Sequence, residues 1–370
     1  MNISNKKKIL FLANHFTMGG VQQVNLSLIN NIDKNQFEVH VLYLKKGILF
    51  NDLSEDISIK NLGNTLKLKS IKNLIYLYRI KKYIISNNID IVHTIDGVLY
   101  YLGAVAARLC RIKHIRTQPN FIRRHERKNT KTLKILPFEK WTDKFFTLNE
   151  ASAKDLNLAG VNKNKISVIY GYYPLEEYLN NDISSDIKKE FNIPKKNKII
   201  VAMHRMVDNK GYETFIDMIP LVVKKCKNVT FLLVGDGPNK DDYKSKVENL
   251  GVSKFVVFTG FRKDPSNISK QVDIGVYPVA DTVAMGTVLR AGKVLITKKN
   301  SSMDEYIEHE KNGILVTLDT PETYASEVIY LLERPHLITK MEEHRIQFAK
   351  KNFDGKKNIR KFEQDILTLL

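Results

Sequence analysis

Cysteine is nearly absent: the 370 residues hold two, Cys110 and Cys226, far apart. No disulfide framework organises such a chain, and a reducing cytoplasm is the expected compartment. Long apolar runs are missing too. None approaches the roughly 20 residues of a spanning helix. The basic start "MNISNKKKILFLANHF" has too short an apolar run for a signal-peptide core and reads as a first buried strand. Short tandem repeats and low-complexity segments are also lacking. Neither GxGxxG nor a Walker lysine motif occurs, so the familiar dinucleotide and P-loop phosphate sites are not expected. No cluster with metal-ligand spacing is visible, and no metal site or cofactor is expected. Acidic residues are in deficit, 40 against 59 Lys and Arg, for a net charge of +19. That surplus points to an anionic partner, a nucleic acid, a membrane surface or a phosphorylated substrate, unless it is scattered, solvated lysine. Without a nucleic-acid reading motif or an interleaved aromatic platform, nucleic acid is not expected.

What is there is globular: 43% hydrophobic and 27% charged residues, in a chain long enough for two domains. Short apolar stretches alternate with helical patterns. In the first half "KILFLAN", "FEVHVLYL", "IDIVHTI", "KHIRTQ", "KFFTLN" and "KISVIY" read as strands; in the second "KIIVAMH", "VTFLLVGDG", "FVVFTGF", "DIGVYP", "VLIT" and "GILVT" do. This is the α/β pattern of parallel sheets covered on both faces, here in two facing Rossmann-like domains. The expected division is 1–178, a polar linker 179–197, 198–350, and a C-terminal helix 351–370 returning to the first domain. Ligands are expected at strand C-termini, in the cleft between the domains.

One such strand end carries charge. In "VAMHRMVDNKGYETFI" Arg205 follows a buried strand at once, and Lys210 precedes a helix N-terminus. Arginine offers a planar fork to phosphate oxygens, lysine a point charge, and the helix dipole favours an anion. A diphosphate fits this combination, although a cation pair in a loop is by itself most often just solvated. Gly19-Gly20, after the first strand, opens another helix where bare backbone can approach an anion.

Gly19-Gly20, "VAMHRMVDNKGYETFI", "FLLVGDGP", "VVFTGFRKD" and "NGILV" occur in an order that resembles the retaining GT-B glycosyltransferases of family four, many of which build bacterial capsule, lipopolysaccharide and cell-wall glycans. The resemblance implies a GT-B fold and transfer of a sugar from a nucleotide-sugar, UDP-linked by preference, without a metal. The acceptor would be a cell-envelope glycan or a lipid-linked molecule. Arg205 and Lys210 would hold the donor pyrophosphate. Gly19 and Gly20 from the first domain, and Gly235, Phe261, Pro278, Asp281, Thr282, Met285, Gly286 and Glu305 from the second, would surround the donor. Asp281 would act on the sugar beside Arg205 and Lys210. On the acceptor side the candidates are His93, Asp96, Asn120, Arg123 and Arg124.

The chain departs from the family pattern at two places. Asp281-Thr282 stands where the first of two spaced glutamates belongs, Leu289-Arg290 falls near the second, and the segment before Gly292-Lys293 is about one helical turn short. Arginine only donates hydrogen bonds, so it does not replace a glutamate on ribose hydroxyls. Glu305 offers a neighbouring carboxylate, or is an ordinary helix-start acid. Pro119-Asn120 occupies the place of a histidine often found near the donor sugar. Two functions therefore stay open: an active transferase, or an impaired subunit that binds glycan or supports an active partner. His93 is a cleft candidate, although a lone histidine at a strand end is more often an ordinary core residue. Of two basic stretches, the one around 68–82 reads as a core-facing helix with a solvated basic back, whereas Arg123–Lys134 is the candidate contact with an acceptor or an anionic membrane at its inner face.

Overall fold

A computed structural model of the chain describes residues 6–17, 20–63, 72–95, 97–118, 139–180, 182–279, 282–300 and 302–370. Two compact units emerge, Met1–Tyr173 with Asp354–Leu370, and Pro174–Phe353. Each is a parallel sheet with helices.

The first sheet contains β1 (Lys7–His15), β2 (Phe37–Lys45), β3 (Ser58–Asn61), β4 (Ile91–Thr94), β5 (Lys113–Gln118), β6 (Lys144–Thr147) and β7 (Ile166–Val168), in the order β3-β2-β1-β4-β5-β6-β7. The second contains β8 (Lys198–Met203), β9 (Val229–Val234), β10 (Val256–Gly260), β11 (Ile274–Tyr277), β12 (Val294–Lys298) and β13 (Ile314–Val316), in the order β10-β9-β8-β11-β12-β13. Central strands are apolar on both faces because helices cover both sides; Ile9, Leu10 and Phe11, like Ile199, Ile200 and Val201, are fully buried. In each sheet the chain moves outward from a central strand and then returns to its other side. The order therefore reverses between β1 and β4 in one unit and between β8 and β11 in the other, the points where such sheets leave a crevice at their C-terminal edge. β3 was not anticipated from the sequence. All four of its residues are exposed at the sheet edge.

The division falls between Tyr173 and Pro174, ahead of the boundary expected at 178. Residues expected to form a linker are docked on the second unit instead. Ser184 N–H donates to Asn267 Oδ1 at 3.0 Å, Asn267 Nδ2 donates to Ser185 O at 3.1 Å, and Arg262 joins Glu190 to Asp264. The C-terminal helix Gly355–Leu367 belongs to the first unit. A Cβ on Gly355 would lie 2.0 Å from Tyr173 O, so only glycine lets the helix begin there. Phe362 is buried against Phe146 and Tyr172, with ring centroids 4.5 and 5.6 Å away. In the second unit Arg345 is fully buried. Its guanidinium donates to Asn312 O at 3.0 Å, Asn312 Oδ1 at 2.8 Å and Tyr306 O at 2.5 Å, pinning the turn that leads into β13. Among the described residues no helix is long and apolar enough to cross a membrane.

Candidate functional site

β8 delivers the chain to the C-terminal edge of the second sheet, beside β11, where the strand order reverses. Arg205 is the first exposed side chain beyond it, and Lys210 is half-buried in the same loop. The loop is clamped through its backbone. His204 N–H donates to Val234 O at 3.1 Å, Met206 N–H to Asp236 O at 2.9 Å, and Asn239 N–H to Met206 O at 3.1 Å. The buried Tyr212 hydroxyl lies 3.0 Å from His204 N and 2.8 Å from Val234 O, where it ties the two strand ends together. Burial pushes this phenol up, so it keeps the proton it donates.

The glycines after β9 have a steric origin. A Cβ on Gly235, at φ 141°, would lie 1.8 Å from His204 O, and one on Gly237, at φ 157°, 2.2 Å from Met206 O. The Arg205 loop occupies the space a side chain would need. Gly235, expected to touch donor, also sets the position of the residue expected to bind it. Asn209 and Gly211, at φ 61° and 82°, then turn the chain into helix Tyr212–Lys225. Gly211 stands at that N-terminus and provides no side-chain cap. A Cβ on it would be 3.0 Å from Pro278 Cβ, so the loops after β8 and β11 touch here. An exposed guanidinium, a lysine and an uncapped helix start on one strand end form a place where an anion gains both charge and N–H donors.

At the end of β11, Tyr277 is fully buried, and the His204 ring stands edge-on to it at 5.4 Å. Pro278 is buried, with its carbonyl 3.4 Å from the Tyr324 hydroxyl. Asp281 lies outside the described residues, as does the side chain of Thr282. In helix Thr282–Arg290, Met285 is fully buried with its sulfur 3.8 Å from Thr297 Oγ1, so its side chain supports the region from below instead of lining it. Gly286 makes room for Arg290, whose Nη1 would be 2.9 Å from a Cβ there. Arg290 itself is 6% exposed and lies over the Tyr178 ring at 4.8 Å. The cation near the second glutamate's place is thus folded back into its own unit. Thr287 reaches the end of β8, its Oγ1 3.9 Å from Met203 Sδ. Phe261 is exposed after β10, and Glu305 is half-buried at the end of a short turn, its N–H donating to Ser302 O at 3.2 Å. His204, Tyr212, Gly237 and Thr287 went unnoticed in the sequence. The "GDG" spacing was the one available signal, for Gly237.

In the first unit, His93 is a core residue, which corrects its assignment to the acceptor side. It is 1% exposed, its Nε2 is 2.8 Å from Thr117 Oγ1, and it packs edge-on against Phe11 and Phe362. Burial pushes its pKa down to about 3, so it is neutral at physiological pH. Gly20 is the first residue of helix Gly20–Asn31. Gly19, Asp96, Asn120, Arg123 and Arg124 lie outside the described residues.

The family model described as Glycosyltransferase Family 4 matches residues 18–177, and that described as Glycosyl transferases group 1 matches 184–352. In tandem they take in both units. The chain belongs to the family-four glycosyltransferases. A relative from Escherichia coli, UDP-Gal:alpha-D-GlcNAc-diphosphoundecaprenol alpha-1,3-galactosyltransferase, is 24% identical over 333 residues, covering 84% of each chain. An uncharacterized glycosyltransferase from Haemophilus influenzae is 20% identical over 353 residues, covering 91% of this chain and 94% of its own. Among solved structures, HepE of Anabaena in complex with UDP and glucose superposes with a TM-score of 0.85 at 18% identity, over 98% of this glycosyltransferase and 100% of HepE. The fold is GT-B.

Proposed function

We propose that this glycosyltransferase moves a sugar from a nucleoside-diphosphate sugar, UDP-linked by preference, to a cell-envelope glycan or lipid-linked acceptor, with retention and without a metal. The observation that carries this is the Arg205–Lys210 loop, clamped at the strand-order reversal and leading into an uncapped helix start. A diphosphate bound there gains negative charge as the glycosidic bond to the sugar breaks. Arg205, Lys210 and the first N–H groups of helix Tyr212–Lys225 then stabilise the leaving group more than the ground state, which is how a fixed electrostatic site accelerates departure. Asp281 acts on the sugar hydroxyls and the positive charge that develops at the anomeric carbon. The names of the Escherichia coli relative, which uses UDP-Gal and a diphosphoundecaprenol-linked acceptor, and of HepE, solved with UDP, support this choice of donor and acceptor.

Arg290 favours a second reading, an impaired subunit that binds glycan or supports an active partner, because a buried cation stands near the place of a ribose-binding carboxylate. Thermal-shift screening against uridine, guanosine, adenosine and thymidine diphosphates and their sugars identifies the donor, since a ligand of the native state raises its stability. Transfer or hydrolysis of that donor then separates the two. With an active wild type, Asp281→Asn keeps diphosphate affinity and lowers turnover; equal turnover removes the role given to Asp281, and no turnover by wild type on any donor favours the subunit.

A further inference from the structure

The loop proposed to hold a diphosphate stands among acids. Asp208 lies between Arg205 and Lys210, and Glu213 is in the first turn of helix Tyr212–Lys225. Asp236 is two residues past β9, with its carbonyl accepting from Met206 N–H at 2.9 Å. Carboxylates here oppose an anion in two ways. They repel it, and they compete for its partners, since an acid in a first turn is itself drawn to the helix start and Asp208 is only two residues from Lys210. A site for a diphosphate has to keep them turned elsewhere.

The start of helix Lys240–Asn249 supplies a donor to each of the three. An asparagine at an N-cap ordinarily uses its side-chain oxygen on the first turn. Asn239 stands at this N-cap without doing so, and its Nδ2 donates to Asp208 Oδ1 at 2.5 Å. Lys240 Nζ donates to Asp236 Oδ2 at 2.9 Å. Tyr243, one turn further on, is 3% exposed, and its hydroxyl donates to Glu213 Oε1 at 2.8 Å. The Tyr243 ring is 5.4 Å from that of the buried Tyr212, which fixes where the hydroxyl points. Burial, and then the Glu213 carboxylate, push this phenol up, so it keeps the proton it donates. Asn239 and Tyr243 are neutral. They orient their carboxylates without cancelling the charge, so the direction in which each carboxylate points decides what an arriving anion meets.

We infer that Asn239 and Tyr243 are positioning residues for the diphosphate site: they hold the Asp208 and Glu213 carboxylates on helix Lys240–Asn249 and so keep them from competing with the ligand for Lys210 and the helix N–H groups. The inference rests on the diphosphate reading of the loop, and its test requires no turnover. Calorimetric titration of the full chain with inorganic pyrophosphate and with uridine diphosphate measures it. Tyr243→Phe and Asn239→Ala are each expected to weaken binding of both probes about fivefold. That deficit shrinks as salt is raised, because it is electrostatic. Tyr243→Phe/Glu213→Gln and Asn239→Ala/Asp208→Asn are expected to return to wild-type affinity, since the released group no longer carries charge. Glu213→Gln alone keeps an acceptor for the Tyr243 hydroxyl and is expected to bind at least as tightly as wild type. A merely structural role gives a different pattern: melting falls in the single variants, and removing the charge rescues nothing. Wild-type affinity in both single variants, or a deficit that the second substitution leaves in place, overturns this inference alone. A wild type that binds neither probe overturns the diphosphate reading and this inference with it.

Discussion

Helices Tyr212–Lys225 and Lys72–Asn87 use their surfaces in opposite ways. The first buries Tyr212, Phe215, Ile216, Met218, Ile219, Val222 and Val223, and its outer side carries ion pairs such as Asp217 with Lys246 at 2.7 Å. The proposed diphosphate site is at its tip, where the chain enters from Arg205 and Lys210. The second buries Ile80 and Ile84 and leaves Leu74, Ile75, Tyr78 and Ile85 outside, among the exposed Arg79 and Lys82. An apolar residue therefore means different things in the two helices: in one it positions a strand-end site, in the other it is surface available to a partner.

The largest expected contrast comes from truncating one side chain in each helix. Phe215→Ala should cost about 3–5 kcal/mol of stability in chemical denaturation, the range for emptying a packed aromatic site. Ile75→Ala should stay within about 0.5 kcal/mol of wild type. A comparable loss at Ile75 would mean that its face is already covered in the folded chain. Gly235→Ala comes next. The new Cβ meets His204 O and the backbone sits at φ 141°, so a loss of about 1–3 kcal/mol is expected, with weaker diphosphate binding because the Arg205 loop must shift. A variant with wild-type stability and affinity would detach the glycine turn from the loop. The smallest effect is on pH dependence. His93 and His114 are both pushed down to about 3 by burial, from an ordinary value of 6.5. Folding excludes their charged forms, so their contribution to stability is complete above pH 6.5 and is lost as pH falls from there toward 3. Each contributes up to about 1.4 kcal/mol per pH unit in that window. His93→Gln should flatten the fall in melting temperature between pH 6.5 and 5; an unchanged slope would mean that His93 takes up its proton while folded.

These contrasts also show how far the sequence can be read. The buried strands were legible because parallel sheets demand continuous apolar runs, and the charged strand end stood out against β8. β3 was not legible: an exposed four-residue edge strand buries no apolar run. Periodicity identified helix Lys72–Asn87 without saying which face was inside, because both faces repeat apolar residues. His93 carried no signal beyond its place at a strand end, and its Thr117 partner lies 24 residues away. The partners of Arg345 are mainly backbone carbonyls, which leave no mark on residue identity. Gly235 was found for its place near the donor, whereas its steric cause, the close approach of His204, belongs to the fold.

The central claim is that the strand-end loop after β8 binds a nucleoside diphosphate through Arg205 and Lys210. Calorimetric titration of wild type, Arg205→Ala and Lys210→Ala with the diphosphate found by thermal-shift screening tests it directly. Each variant should bind about 1.5–3 kcal/mol more weakly, the range for hydrogen bonds to charged groups, with unchanged melting in the absence of ligand. Wild-type affinity in both variants would contradict the claim.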